Sequence, residues 1–181
     1  MLHLLHDPAA FRAFVLEHQD RVYNLVLNRV QHPEDAEEIT QDVFVAVYRN
    51  PGSFRGESSV STWLYRIAVN KCIDYLRARR ARVRGLIGRW FGDWPEEKDL
   101  ADFNHPGILS ENRENARFLF RALRSLPENQ YTAWSLCELD GLSYHQAAEV
   151  MKVSLPAVES LIYRARKNLR RILAGMYPET K

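Results

Sequence analysis

An all-α fold is predicted by the apolar residues, which recur with a period near 3.6 and never alternate with period two over a useful length. Hydrophobic residues make up 46% of the 181 residues, enough for packed cores, so global disorder is excluded. Glycines and prolines interrupt the periodicity from Gly85 to about Asn112. The sequence therefore predicts two small helical domains, 1–84 and 113–181, joined by a linker over 85–112.

Three helices are predicted in the first domain. The first covers 11–30 and stops before Pro33, because proline fits the first turn of a helix and not its interior. The second covers 33–50, with carboxylates massed in its first turns, where the helix dipole favours them. A loop with glycines and serines follows at 51–59, and the third helix covers 60–82.

Four helices are predicted in the second domain, and the last two form a helix-turn-helix. The first two cover 114–126 and 127–140, and Gly141 suits a left-handed end to the latter. Ser143 and Gln146 have the capping-box spacing that starts a short helix, 144–151. After a tight connection, Ser154 can cap the last helix, which tolerates Pro156 in its first turn.

Charge is segregated along the chain, although the net charge is only +2. Acidic residues cluster at 34–42 and 93–114, and basic residues at 77–89 and 164–171. Such segregation predicts separate surfaces that bind partners of opposite charge.

Cys72 and Cys137 lie far apart in apolar surroundings, so we expect both to be reduced and to serve as small core side chains. With no leader peptide and no run of ~18 apolar residues, a cytoplasmic location is expected.

The last helix is the candidate recognition helix for nucleic acid, because the second helix of a helix-turn-helix enters the major groove with its N-terminal residues. The candidate contacts on it are Pro156, Ala157, Glu159, Ser160, Tyr163, Arg164 and Lys167, and Tyr144 and His145 of the preceding helix could donate to phosphate. Glu159 can accept from a cytosine amino group. The alternative is a bundle with a solvated basic face.

A second combination joins aromatic residues to a run of arginines. Phe54, Trp63 and Tyr65 precede the arginines from Arg77 onward. Bases can stack on rings while the backbone follows positive charge, which suits single-stranded nucleic acid. The alternative is that these aromatic residues belong to the core, and we favour that interpretation for Trp63.

Several ordered motifs carry a family resemblance. "EEITQDVFVAVYR", "FRGESSVSTWLYRIAVNKCIDYLR" and "LPENQYTAWSLCELDGLSYHQAAEVM…RARKNLRR" together resemble bacterial extracytoplasmic-function (ECF) sigma factors, over about 11–80 and 112–173. The resemblance implies sigma domains two and four, and an alternative-type subunit of RNA polymerase that directs initiation at specific promoters. The alternative function is a helix-turn-helix regulator that does not join polymerase. Because no catalytic motif, cofactor motif or metal-ligand spacing is found, we expect no enzyme, cofactor or metal.

The resemblance also implies site residues. Core polymerase would contact Glu38, Gln41, Asp42, Phe44 and Tyr48. The minus-ten element would contact Phe54, Arg55, Glu57, Ser58 and Ser59 of the loop and Asn70, Arg77 and Arg80 of the third helix. The minus-thirty-five element would contact Tyr144 and the exposed face of the last helix. Glu159 and Leu161 replace basic residues of many members, so the promoter sequence is expected to differ.

Two further expectations concern partners. An anti-sigma factor is implied by the resemblance, because small sigma factors of this type are commonly restrained by one. The linker residues Trp90, Phe91 and Trp94 have no family counterpart, and domain packing is the first hypothesis for them. The alternatives are contact with an inhibitor, with the polymerase cleft or with a membrane surface, although Gly85, Gly88 and Gly92 disfavour a stable amphipathic helix.

Overall fold

The computed structural model describes residues 7–87 and 113–176. The chain divides into two compact units, 1–101 and 102–181. Every regular element in the described ranges is helical, so the predicted all-α class is confirmed. The predicted linker aromatics Trp90, Phe91 and Trp94 lie outside the described residues.

The first unit contains α1 (Pro8–Val30), α2 (Pro33–Arg49), a 3₁₀ turn (Pro51–Ser53) and α3 (Val60–Ile87). Asp7 caps α1, since its carboxylate accepts from the Ala10 N–H at 2.9 Å. The chain then reverses at Gln31, which takes a left-handed conformation (φ 55°) and donates to the Leu27 carbonyl at 2.8 Å. Pro33 starts α2 immediately afterwards, as the sequence predicts.

All three helices contribute to one core. Each packs against the other two, and the fully buried members include Val22, Leu25 and Val26 of α1, Val43 and Val47 of α2, and Trp63, Leu64 and Ala68 of α3. Burying one such Leu or Val side chain stabilises the fold by about 1.5–3 kcal/mol. The preference for Trp63 as a core residue is therefore correct.

Helix α3 is longer than predicted. The sequence predicts that it ends at Arg82 and that the linker begins at Gly85, but α3 continues through Gly85 to Ile87. Glycine in a helix interior costs about 1 kcal/mol relative to alanine, which the strong helix formers before it can offset. Residues 85–87 therefore extend α3.

The second unit contains α4 (Arg113–Arg124), α5 (Glu128–Glu138), α6 (Tyr144–Met151) and α7 (Leu155–Met176). Helix α7 packs against each of the other three. Its buried stripe consists of Val158, Ile162, Ala165 and Leu169, while Leu161 is only partly buried. Ala165 and Leu169 meet Ala122, Leu123 and Leu126 in one cluster.

Helices α6 and α7 form the predicted helix-turn-helix. Gly141 precedes α6 with φ +70°, a conformation that favours glycine. The capping box is complete, because the Gln146 N–H donates to Ser143 Oγ at 3.2 Å and the Ser143 N–H donates to Gln146 Oε1 at 2.9 Å. Lys152 closes α6 in a left-handed conformation, and α7 begins three residues later.

Candidate nucleic-acid interface

The predicted reading face of α7 is exposed. Tyr163 has 70% of its surface accessible, and Glu159, Arg164 and Lys167 are exposed around it. Pro156 is also exposed, whereas Ala157 and Ser160 are half-buried. The face therefore offers one carboxylate, one phenol and two cations to a ligand, with small residues beside them.

A groove of about 380 Å³ runs along this face. It is lined by Tyr144 from α6 and by Glu159, Ile162, Tyr163, Arg166, Lys167 and Arg170 from α7. Three cations and two tyrosines therefore surround one carboxylate. Such a rim suits a polyanion with polar edges, which is the chemistry of a nucleic-acid duplex.

Arg166 is held in place by two neighbours on other helices. Its Nη2 donates to Oε1 of Glu138 at 2.5 Å, across 28 residues of sequence. The hydrogen bond to Glu138 and the nearby Tyr144 raise the pKa of Arg166 above its usual value. Sequence reasoning missed Glu138, because no local spacing links the end of α5 to the middle of α7.

An acidic and partly apolar face lies on α2 of the first unit. The predicted residues Glu38, Gln41 and Asp42 are exposed, and Tyr48 has 48% of its surface accessible. Asp42 is not isolated, since the Lys71 ammonium of α3 lies 3.0 Å from its Oδ2. Val45, with 44% accessible, belongs to the same face, and its i+4 spacing from Gln41 could have identified it.

Phe44 does not belong to that face, contrary to the prediction. Its surface is only 6% accessible, and its ring meets the Phe14 ring edge-on at a centroid distance of 6.3 Å. Helix α1 covers this side of α2, so Phe44 is a core residue of the first unit. It cannot supply an apolar contact to a docked partner without unpacking that core.

The loop before α3 contains the predicted minus-ten residues in different environments. Phe54 is half-buried, with its ring edge-on to Trp63 at 5.4 Å. Arg55 and Glu57 are exposed and Ser58 is half-buried, around Gly56 with φ +75°. The loop is therefore anchored at Phe54 and open at its tip.

Ser59 ends that loop as the N-cap of α3. Its Oγ accepts from the Thr62 N–H at 3.0 Å and lies 2.8 Å from Thr62 Oγ1. Further along α3, Asn70 and Arg77 are exposed, while the Arg80 side chain lies outside the described residues. Ser59 thus has a structural function that the sequence analysis did not assign.

A polar cluster ties the start of α2 to the middle of α3. Asp35 accepts a hydrogen bond from Tyr75 and lies 3.9 Å from Arg79 Nη1. Burial, then the bond to Asp35 and its charge, raise the pKa of Tyr75 to about 12. A cavity of about 300 Å³ lies beside the cluster and is also lined by His32, Ala78 and Arg82. Asp35 therefore does more than complement the helix dipole.

The described residues contain no group of three metal-ligating side chains. Within 7–87 and 113–176, no helix is long and apolar enough to cross a membrane. Cys72 is buried and Cys137 is partly buried, neither is in a disulfide, and burial raises the pKa of the Cys137 thiol.

Two helical units, the second with a cationic helix-turn-helix edge, define a DNA-binding protein of the helix-turn-helix class. The family model for Sigma-70 region 2 matches residues 14–82, and that for Sigma-70, region 4 matches residues 119–169. The ECF RNA polymerase sigma-E factor of Haemophilus influenzae is 37% identical over 163 residues, covering 89% of this chain and 86% of that protein. The chain belongs to the ECF sigma factors of the sigma-70 family.

Two other comparisons agree with this family. The RNA polymerase sigma-H factor of Pseudomonas aeruginosa is 32% identical over 175 residues, covering 96% of this chain and 91% of that protein. The sigma factor RpoE of Bartonella quintana, solved with the anti-sigma factor NepR, superposes with a TM-score of 0.66 at 22% identity. That alignment covers 91% of this chain and 96% of the other, and it shows a shared fold.

Proposed function

We propose that this chain binds core RNA polymerase and directs transcription initiation at specific promoters, as an alternative-type sigma factor. The observation that carries the proposal is the pairing of two opposite surfaces in one chain. An acidic face on α2 lies within the region 2 match, and a cationic helix-turn-helix edge lies within the region 4 match. We assign sigma domain two to the first unit through Ile87, and sigma domain four to 113–181.

Core polymerase binds the exposed face of α2 in this proposal. Glu38, Gln41 and Asp42 supply charge and hydrogen bonds to the basic clamp helices of the largest polymerase subunit. Val45 and Tyr48 supply apolar contact beside them, since both are close to half exposed. Such an arrangement of charge gives orientation and a fast encounter, while the exposed apolar residues add buried area.

The minus-ten element meets the loop before α3. A base flipped from the non-template strand needs a capture site whose contacts offset a few kcal/mol of unstacking. Arg55, Glu57 and Ser58 at the open tip are suited to contact it, and Phe54 holds the loop against Trp63. Ser59 contributes through its cap of α3, while Asn70, Arg77 and Arg80 hold neighbouring DNA.

The minus-thirty-five element meets the exposed edge of α7. Glu159 and Tyr163 are placed to touch base edges, with Pro156, Ala157 and Ser160 allowing close approach. Arg164 and Lys167 are cations for base or backbone contact, and Tyr144 donates to phosphate from the start of α6. A carboxylate on this face lowers affinity for the backbone in general, so Glu159 serves sequence preference.

The chain acts through binding and not as an enzyme, without a cofactor, in the cytoplasm where its polymerase works. We also propose an anti-sigma factor as a restraining partner, supported by the similarity in fold to a sigma factor solved with one.

The test is reconstitution of the full chain with sigma-free core polymerase. We expect the two to co-elute in gel filtration, and the mixture to initiate from promoters selected out of a random library. A chain that binds duplex DNA but neither co-elutes with core nor supports initiation would be a plain helix-turn-helix regulator, contrary to the proposal.

A further inference from the structure

Three helices of the second unit contribute to one contact. Glu138 is the last residue of α5, Tyr144 is the first residue of α6, and Arg166 lies in the middle of α7. Arg166 donates to Glu138 at 2.5 Å, and Tyr144 lines the same groove as Arg166 and raises its pKa. The contact with Glu138 therefore holds the guanidinium of α7 against the end of α5, beside the start of α6.

The position of Glu138 is unfavourable for its own helix. A carboxylate at a helix C-terminus is repelled by the negative end of the dipole. Its side chain is 37% accessible, so solvent could accommodate other rotamers. The contact with Arg166 is the interaction that compensates for this placement.

Arg166 also faces the groove already described. It lines the concave rim together with Tyr144, Lys167 and Arg170. A guanidinium has five N–H donors in a rigid fork, so a bond to one carboxylate leaves donors for a second anion. In a docked helix-turn-helix, the first helix crosses the DNA backbone, which brings phosphate to the start of α6.

We propose that Arg166 and Tyr144 form a binding site for one phosphodiester of the promoter backbone, and that Glu138 is the positioning residue that holds Arg166 in this site. This inference rests on the proposed function and adds residues to its minus-thirty-five contact. Glu138 has two opposing effects on the DNA. Its charge repels phosphate, but it fixes the guanidinium before the DNA arrives, so less side-chain freedom is lost on binding. The proposal requires the second effect to be larger.

The experiment measures holoenzyme affinity for a promoter fragment as a function of salt. The variants are Arg166→Ala, Glu138→Gln and the two combined. Arg171→Ala removes an exposed cation from the same helix outside the groove, and Glu149→Gln removes an exposed carboxylate from α6. These two are the matched controls for charge alone.

Arg166→Ala is expected to lower affinity about tenfold on promoters of any sequence, as for a charge-assisted hydrogen bond. It should also reduce the slope of log K against log salt by about 1. Glu138→Gln is expected to lower affinity although it removes a repelling charge, and this loss should disappear in the Arg166→Ala background. Glu149→Gln should leave affinity unchanged or raise it.

Two results would overturn the inference. One is a Glu138→Gln variant that gains affinity as Glu149→Gln does, which leaves repulsion as its only effect. The other is an Arg166→Ala variant that matches Arg171→Ala in affinity and slope. If Glu138→Gln unfolds the second unit, Arg166→Lys is tested in its place. We expect Arg166→Lys to bind DNA more weakly than wild type, with an unchanged salt slope. Wild-type affinity in this variant would contradict the proposed phosphate site. Co-elution of each variant with core separates this failure from failure of the proposed function.

Discussion

Asp42 is the residue at which core binding and fold stability can be separated. Its carboxylate lies on the exposed face of α2 and pairs with Lys71 of α3 at 3.0 Å. The Asp42→Arg substitution removes this pair and reverses the charge offered to core polymerase.

The effect on folding is small. The two side chains are 58% and 39% accessible, and ion pairs this exposed stabilise by about 0.2–1 kcal/mol. Repulsion between two cations about 4 Å apart in water adds about 1 kcal/mol. The first unit should therefore lose at most about 1–2 kcal/mol. Core binding should lose more, because a like-charge contact in an interface costs about 3 kcal/mol, or roughly a hundredfold in affinity.

The assay titrates fluorescently labelled full chain with core polymerase, next to thermal unfolding of the free chain. The matched control exchanges the pair, with Asp42→Lys and Lys71→Asp in one chain. This exchange should restore stability, because the ion pair forms again with its charges swapped. It should not restore core affinity, because the carboxylate then lies on α3 and no longer on the face of α2. Binding of duplex DNA by the free chain should be unchanged in both variants. Wild-type core affinity in Asp42→Arg, or its recovery in the exchanged chain, would refute the assignment of Asp42 to the docking face.

Substitutions at Tyr75, Ser143 and Glu159 test three further residues. Because the pKa of Tyr75 is raised to about 12 in the folded chain, its contribution to stability is complete below pH 10 and is lost as pH rises through 12. Tyr75→Phe should lower the free energy of unfolding in urea by about 1 kcal/mol at neutral pH and abolish the loss of stability at alkaline pH. An equally steep alkaline loss of stability in Tyr75→Phe would contradict the assignment of that loss to Tyr75. Ser143→Ala should destabilise the second unit by about 1 kcal/mol in thermal unfolding, while Ser143→Thr retains most of the cap; equal losses would argue against the capping box as the cause. Glu159→Lys should change the sequences recovered in a randomised-promoter selection more than it changes total affinity, and an unchanged set would remove Glu159 from base reading.

Helix boundaries in this protein are determined locally, and the sequence alone predicts them well. Pro33 starts α2, the Ser143–Gln146 pair starts α6, and Gly141 takes the left-handed conformation between α5 and α6. Each signal depends on the conformational limits or hydrogen bonds of residues within one helical turn. For the same reason, the exposed edge of α7 could be predicted from its 3.6-residue period. The predicted end of α3 at Arg82 is wrong, because a single glycine at Gly85 is too weak a signal to stop the helix before Ile87.

The identity of the neighbour across each helix face was decided only by the tertiary structure. Period 3.6 places Phe44 beside the docking residues of α2, but α1 covers it through Phe14. The pairs Asp42–Lys71 and Glu138–Arg166 join residues 29 and 28 positions apart. A helical repeat fixes the direction of a side chain about its own axis, whereas its partner depends on how separate helices pack. Sequence therefore determined which surfaces exist here, and packing determined which of their residues remain available for binding.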